Sequence, residues 1–295
     1  MHILITGSNG LLGQKIIAKL LKANQDFIAT SIGPNRNPDC PDDKYRPLDI
    51  TSRNEIADLL AVENIDAIIN TAAMTLVDDC EDQESKCRSI NVDGVKNLYE
   101  EASERNIFLV QVSTDFVFDG ENGPYKEDDI RNPLSVYATS KRDAEDVLLN
   151  GKYQNWAILR TIIVYGKGNN LSRSNIVLWA REALKEGKEL TIVNDQFRAP
   201  TWADDLAWAC IRACEIHATG IFHISGPETF SIYEMVCRIA DHYGYDKSVI
   251  KPISSKTLSQ KAKRPPKTGF DISKARKILG YNPITLEQSL KELDR

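Results

Sequence analysis

Ile3-Leu4-Ile5-Thr6-Gly7-Ser8-Asn9-Gly10-Leu11-Leu12-Gly13 is the stretch on which the fold turns. Ile3 to Thr6 reads as a short buried strand, and Leu11 to Lys22 carries helical spacing. Between them lie three glycines at intervals of three. Glycine tolerates positive φ and lets a ligand come close to the backbone. A helix that starts after such a turn offers unpaired N–H groups and the positive end of its dipole, a seat for a pyrophosphate. The third glycine lets the helix lie close on the strand. Gly7, Asn9, Gly10, Leu11, Leu12 and Gly13 are therefore candidate dinucleotide-binding residues, in a GxxGxxG spacing.

The same alternation continues outward. Residues 27–31, 67–71, 108–113 and 157–164 read as strands, and 52–63, 91–105 and 136–150 as helices. Short, continuous apolar strands are buried on both faces, which marks a parallel sheet covered by helices. Past Gly166 the regularity weakens, with helices expected over 175–186, 202–213, 231–243 and 286–293 and a strand over 220–225. The pattern predicts an α/β, Rossmann-like, doubly wound parallel sheet. Its dinucleotide-binding part spans 1–166, with later segments returning to it. A smaller, less regular substrate lobe occupies mainly 167–295.

The composition agrees with a packed chain. Of 295 residues, 42% are hydrophobic and 27% charged, enough for a sizeable core and against wholesale disorder. The net charge of −5 argues against a protein built to grip nucleic acid. The basic cluster from Lys261 to Lys267 is broken by Pro265 and Pro266 and reads as a solvated loop. The six cysteines form no CxxC and no zinc-like spacing with histidine, and Cys210 and Cys214, one helical turn apart, read as small core residues. His223 reads as a satisfied core histidine. No run approaches the roughly 18 apolar residues of a membrane span, and the amino terminus has no leader pattern. A reduced, cytoplasmic protein without membrane, metal or nucleic-acid partners is expected, and a homodimer is compatible with the sequence.

Several residues carry chemistry. The end of the second strand, Thr30 to Arg36, holds no carboxylate for a ribose 2′-hydroxyl. Arg36 could instead meet a 2′-phosphate, which favours NADP(H) and leaves NAD(H) open. Asp49 and Ile50 are placed to cap the adenine side. Tyr137 and Lys141 stand four apart and share a helix face; a nearby ammonium brings a phenol toward acid–base use. Ser113-Thr114-Asp115 ends a strand at the sheet edge where open α/β folds bind ligands, and a hydroxyl there can donate to a developing alkoxide.

These motifs resemble a known family. GSNGLLG at 7–13, NTAAMTLVDDCE at 70–81, INVDG at 90–94, STDFVFDG at 113–120, YATSK at 137–141, ILRTIIVYG at 158–166 and DQFRAPTWADDLA at 195–207 run in the order of the dTDP-4-dehydrorhamnose reductases. These are extended short-chain dehydrogenase/reductases. KRPPKTGFD at 263–271 is a looser match. The resemblance implies NAD(P)H-dependent reduction of the 4-keto group of dTDP-6-deoxy-L-lyxo-4-hexulose to dTDP-L-rhamnose. Tyr137 then resembles the general acid, Lys141 the residue that tunes it and holds the nicotinamide ribose, and Thr114 the hydroxyl that orients the keto oxygen. Ala72 and Ala73 would lie under the cofactor, supported by Asn91. Asp115, Phe116, Asn175, Arg198 and Trp202 are candidate substrate-side residues, Trp202 with core packing as its competing role.

The chain also departs from the pattern. Ile162-Ile163 stands where many members have Ser-Trp, Met74 where a Tyr is common, and Arg198 where the family has Gly. Arg198 could grip a diphosphate or form a surface ion pair. Lys15 occupies the place of an acidic metal ligand found in some members, so no metal is expected. Two other readings stay open: another sugar-nucleotide epimerase or epimerase–reductase, and a non-catalytic, NADP-binding regulatory subunit resembling that of methionine adenosyltransferase.

Overall fold

The computed structural model describes residues 1–258 and 260–294. Seven strands form one sheet: β1 (Ile3–Thr6), β2 (Phe27–Ser31), β3 (Tyr45–Pro47), β4 (Ala67–Asn70), β5 (Phe108–Thr114), β6 (Trp156–Thr161) and β7 (Gly220–Ile224). Their order is β7-β6-β5-β4-β1-β2-β3, and every pairing is parallel. The chain reverses direction across the sheet between β1 and β4, and such a switch point opens a crevice at the carboxyl ends of the strands.

Alternation along the strands divides the core into two faces. Ile3, Ile5, Phe27, Ala29, Ala67, Ile69, Val110 and Leu159 face one side. There they meet helix α1 (Leu11–Lys22) through Leu12, Ile16, Ile17 and Leu20. Leu4, Ile28, Ile68, Leu109 and Ile158 face the other side, against helices α2 (Arg53–Val62), α3 (Gly94–Arg105) and α4 (Val136–Leu149). The two-sided burial explains why the strands read as unbroken apolar runs.

The second half packs a third apolar cluster between α5 (Ile176–Lys185), α7 (Ile232–Tyr243) and α8 (Leu286–Leu293). Between α5 and α7 the chain returns to the sheet. Helix α6 (Ala203–Glu215) lies beside α1 on the first face, and β7 extends the edge next to β6.

Three of the differences from the sequence reading stand out. The strand expected over 157–164 stops at Thr161. Ile163 takes φ +34, and the Thr201 hydroxyl donates to Ile162 O at 2.8 Å, so Val164–Tyr165 leaves the sheet and pairs with Thr201–Trp202. The helix expected from 91 begins regularly only at Gly94, after a wider turn over 89–93. The basic cluster is not merely a solvated loop: Lys261 pairs with Asp82, and Arg264 pairs with Asp78 at 2.7 Å, both acids on the short helix Val77–Asp82.

Candidate functional site

At the switch point the glycine turn meets the loop after β4. Gly7 has φ +68, and a Cβ there would stand 2.7 Å from Ala72 N. A Cβ on Gly13 would stand 2.6 Å from Ser8 Cα. Side chains are thus excluded at both points, which brings Ala72 beside the turn. The Ser8 hydroxyl is buried in this turn without a hydrogen-bond partner, as suits a loop that offers donors to a ligand oxygen.

Asn9 holds the next loop: Nδ2 donates to Pro34 O at 3.0 Å, and Oδ1 accepts from Arg36 N at 2.8 Å. Arg36 itself is exposed at the end of β2. Asp49 lines a cleft of 590 Å³ together with Ile32, Thr51 and Lys86, at the end expected for the adenine. Ile50, by contrast, is buried against Gly94 and Asn97 carries its carbonyl. Asn91 grips the loop after β4. Its Oδ1 accepts from Met74 N at 2.8 Å, and its Nδ2 donates to Met74 O and to Ser140 Oγ, each at 3.0 Å. Leu11 and Leu12 open α1, with Leu12 packed into the core.

The reducing end is built from β5 and α4. The Ser135 hydroxyl caps α4 by accepting from Ala138 N, which sets Tyr137 in the first turn and Lys141 one turn on. Thr114, the last residue of β5, stands beside the Tyr137 hydroxyl. Burial pushes the Tyr137 phenol well above its usual range; the adjacent Thr114 hydroxyl opposes this and the nearby Asp115 adds to it. The Lys141 ammonium donates to Val112 O at 2.8 Å. Burial brings it down to about 8, against the pull of Glu145. A phenol that keeps its proton at neutral pH suits a general acid.

Lys141 is reached by a row of polar side chains crossing the sheet in register. The Thr6 hydroxyl donates to Asn70 Oδ1, Asn70 Nδ2 to Gln111 Oε1 at 2.7 Å, and Gln111 Nε2 to Val112 O at 2.8 Å. Below Lys141, Glu145 accepts from Ser113 Oγ at 2.6 Å, from Arg160 Nε at 2.9 Å and Nη2 at 2.8 Å, and from Arg131 Nη1 at 3.2 Å. His223 closes this network as a core histidine, its Nδ1 3.1 Å from Tyr125 O and its ring stacked on Phe270.

The substrate-side candidates divide. Phe116 sets its ring edge-on to Tyr137, with centroids 6.0 Å apart. Asp115 lies just behind Thr114, fully enclosed. Arg198 is 2% exposed, so it is no surface ion pair. It faces Asp115, and three of its contacts go to the backbone carbonyls of residues 197, 265 and 266 rather than toward an open anion site. Asn175 caps α5 and donates to Gly166 O at 2.7 Å. Trp202 packs in the third cluster against Tyr165.

Sequence reading passed over Gln14. Its Nε2 donates to Asn9 O at 3.1 Å and Asn169 O at 2.7 Å, while its Oε1 accepts from Asn169 N at 2.8 Å. Gln14 thereby ties the glycine turn to the loop before α5. Asn70 and Gln111 were missed as well, although each is a lone amide in an apolar strand, and such residues stand out once their strands are paired.

A family model described as RmlD substrate binding domain matches residues 1–294. The chain belongs to this family. It is 33% identical to a dTDP-4-dehydrorhamnose reductase of Aggregatibacter actinomycetemcomitans, over 99% of this chain and 98% of that one. It is 30% identical to methionine adenosyltransferase 2 subunit beta of Pongo abelii, over 92% of this chain and 81% of the relative. Among solved structures, a dTDP-4-dehydrorhamnose reductase of Bacillus anthracis in complex with NADP superposes with a TM-score of 0.85 at 25% identity, covering 99% of this chain and 98% of that one.

Proposed function

We propose that this chain is an NAD(P)H-dependent reductase of a nucleotide-linked 4-keto-6-deoxy sugar, converting dTDP-6-deoxy-L-lyxo-4-hexulose to dTDP-L-rhamnose. The observation that carries the reading is the meeting of Thr114, Tyr137 and Lys141 at the carboxyl end of β5, one strand from the glycine turn. The reductase relatives and the NADP complex of one of them support it.

The unpartnered Ser8 hydroxyl and the Gly7 cradle fit a pyrophosphate. A nicotinamide held there would supply the hydride that the sugar C4 receives. Arg36, exposed and held by Asn9, favours NADPH through a 2′-phosphate. Thr114 orients the keto oxygen, and Tyr137 gives its proton to that oxygen as the alcohol forms. Lys141 holds the nicotinamide ribose and offsets the charge left on the phenolate. The enclosed setting of these groups keeps water from competing for the proton.

The test is turnover of the keto sugar by Tyr137→Phe. NADPH should bind within about twofold of the parent, while NADPH oxidation falls by roughly 100-fold or more, the scale of a lost general acid. Unchanged turnover would overturn the assignment. The likeness to methionine adenosyltransferase 2 subunit beta favours a second reading, a non-catalytic NADP-binding subunit. A stoichiometric enzyme partner, with no NADPH consumption on any keto-sugar nucleotide, would decide for that one. NAD⁺ retained tightly through purification would instead indicate an epimerase.

A further inference from the structure

Behind Thr114 lies an ion pair almost wholly enclosed by protein. Asp115 and Arg198 are each 2% exposed. Arg198 Nε stands 3.7 Å from Asp115 Oδ2, which also accepts a hydrogen bond from the Thr268 hydroxyl. Asp115 Oδ1 accepts from the Thr114 hydroxyl at 3.1 Å. The Arg198 guanidinium is fixed from the other side: Nη1 donates to Phe197 O at 2.7 Å and Pro266 O at 3.3 Å, and Nη2 to Pro265 O at 2.6 Å. Its plane lies over the Phe116 ring at 5.6 Å, and Phe116 in turn abuts Tyr137. Arg198 therefore reaches Tyr137 by two routes, one through Asp115 and Thr114 and one through Phe116.

An isolated carboxylate in such a place would take up a proton, because burial penalises its charged form. Burial indeed raises Asp115, and Arg198 opposes the rise. The protonation state matters for direction. An ionised Asp115 can only accept, so before substrate binds it holds Thr114 through the hydroxyl's own hydrogen, which is then free to turn to the keto oxygen. A protonated Asp115 carries a hydrogen of its own and releases Thr114 from that duty.

We propose that Arg198 and Asp115 are positioning residues for the reducing centre: Arg198 keeps Asp115 an obligate acceptor, and Asp115 fixes the orientation of Thr114 beside Tyr137. This deepens the reductase reading and rests on it. The charged and titratable groups around the pair are Tyr137 beside Asp115, Arg264 near Arg198, and Cys80 and Arg173 near Tyr137, with the neutral Thr268 hydroxyl on Asp115. Arg198 is the cation that faces Asp115 directly.

Arg198→Met, Arg198→Lys, Asp115→Asn and the double variant Asp115→Asn/Arg198→Met test the proposal through two measurements. The first is kcat for the keto sugar across pH, with NADPH affinity as control. Arg198→Met should lose about tenfold to a hundredfold in kcat at neutral pH, a cost of misplaced catalytic groups, with NADPH affinity unchanged. Its deficit relative to the parent at the same pH should narrow as pH rises and Asp115 ionises, since Lys141 loses its proton near pH 8 in both, and Arg198→Lys should restore most of the parent's rate. The second is infrared spectroscopy of the whole protein. A protonated-carboxyl band should be present at neutral pH in Arg198→Met and absent from the parent, from Asp115→Asn and from the double variant. Should Arg198→Met fail to fold, Arg198→Gln, which keeps donors for the Pro265 and Pro266 carbonyls, is read in the same way.

A parent-like kcat in Arg198→Met, a loss of kcat without the band, or a band that persists in the double variant would each overturn the proposal. If the parent itself failed to turn over the keto sugar with NADPH, the reductase reading would fall, and the infrared result alone would decide whether Arg198 sets the charge of Asp115.

Discussion

Lys141 shows how far this site is held against its own stability. A lysine ordinarily gives up its proton only near pH 10.5, yet here burial lowers it to about 8. The unfolded chain therefore binds more protons than the folded one between about pH 8 and 10.5, and stability contributed by this residue rises with pH through that window. Below it, the whole cost of enclosing an ammonium is present. Lys141→Met removes that cost and loses the hydrogen bond to Val112 O. We expect the variant to be more stable than the parent by about 1–2 kcal/mol at pH 7. The difference should shrink as pH climbs from 8 toward 10.5, and NADPH binding should be weakened throughout. Urea midpoints of both proteins at pH 7 and pH 10 check this, and a parent that is the more stable of the two at pH 7 would refute it.

The next scale is the junction of β6 with α4. Arg160 from the strand and Glu145 from the helix are both buried, at 1% and 0% exposure, and share two hydrogen bonds. Such a pair adds little stability as a whole, but breaking it leaves a buried charge without its partner. Glu145→Gln should cost about 2–4 kcal/mol in unfolding free energy. It should also have a second effect that packing alone would not give. Glu145 is the carboxylate that pulls Lys141 upward against burial, so its neutralisation lets Lys141 lose its proton at still lower pH. The pH at which NADPH affinity falls off should move down in Glu145→Gln, read by fluorescence titration across pH 6–9; an unmoved limb would separate Glu145 from Lys141.

Elements also show what the sequence reveals and what it hides. Strands such as Ile3–Thr6 and helices such as Leu11–Lys22 and Leu286–Leu293 match their sequence patterns residue for residue, because burial writes their periodicity directly. The helices Val77–Asp82 and Glu84–Arg88 were not legible. They are short and acidic or polar, and each buries one residue, Cys80 and Cys87. Two-residue strands carry no period at all. In the site, Tyr137, Lys141 and Thr114 are readable because each sits in a local motif. The Asp115–Arg198 pair is not, since it joins residues far apart in the chain and depends on a loop contact with 265–268 that no spacing encodes.

For the whole molecule, the question is whether the first 166 residues could stand alone, as an alternating β–α pattern ending near Gly166 suggests. The contacts argue that they could not. On the first face of the sheet, Ile16, Ile17 and Leu20 of α1 share one apolar cluster with Leu206, Cys210, Ala213 and Cys214 of α6. Strand β6 is an inner strand only because β7 covers its outer edge from Gly220 to Ile224. The Tyr125–Phe270 bridge and the stacking of Phe270 on His223 fasten the same face from a third segment. A fragment 1–166 would expose the apolar flank of α1 and a bare parallel edge, the kind of surface that drives association. We therefore expect the fragment to be a compact, dye-binding state with strand and helix signals in far-UV circular dichroism, little near-UV signal and no cooperative urea transition. The full chain should lose the signals of Trp156 in the sheet and Trp202 in the second lobe in one coincident transition. A fragment that unfolds cooperatively with sharp near-UV structure, or a full chain whose two halves melt apart, would show that the returning segments are an addition to a self-sufficient domain.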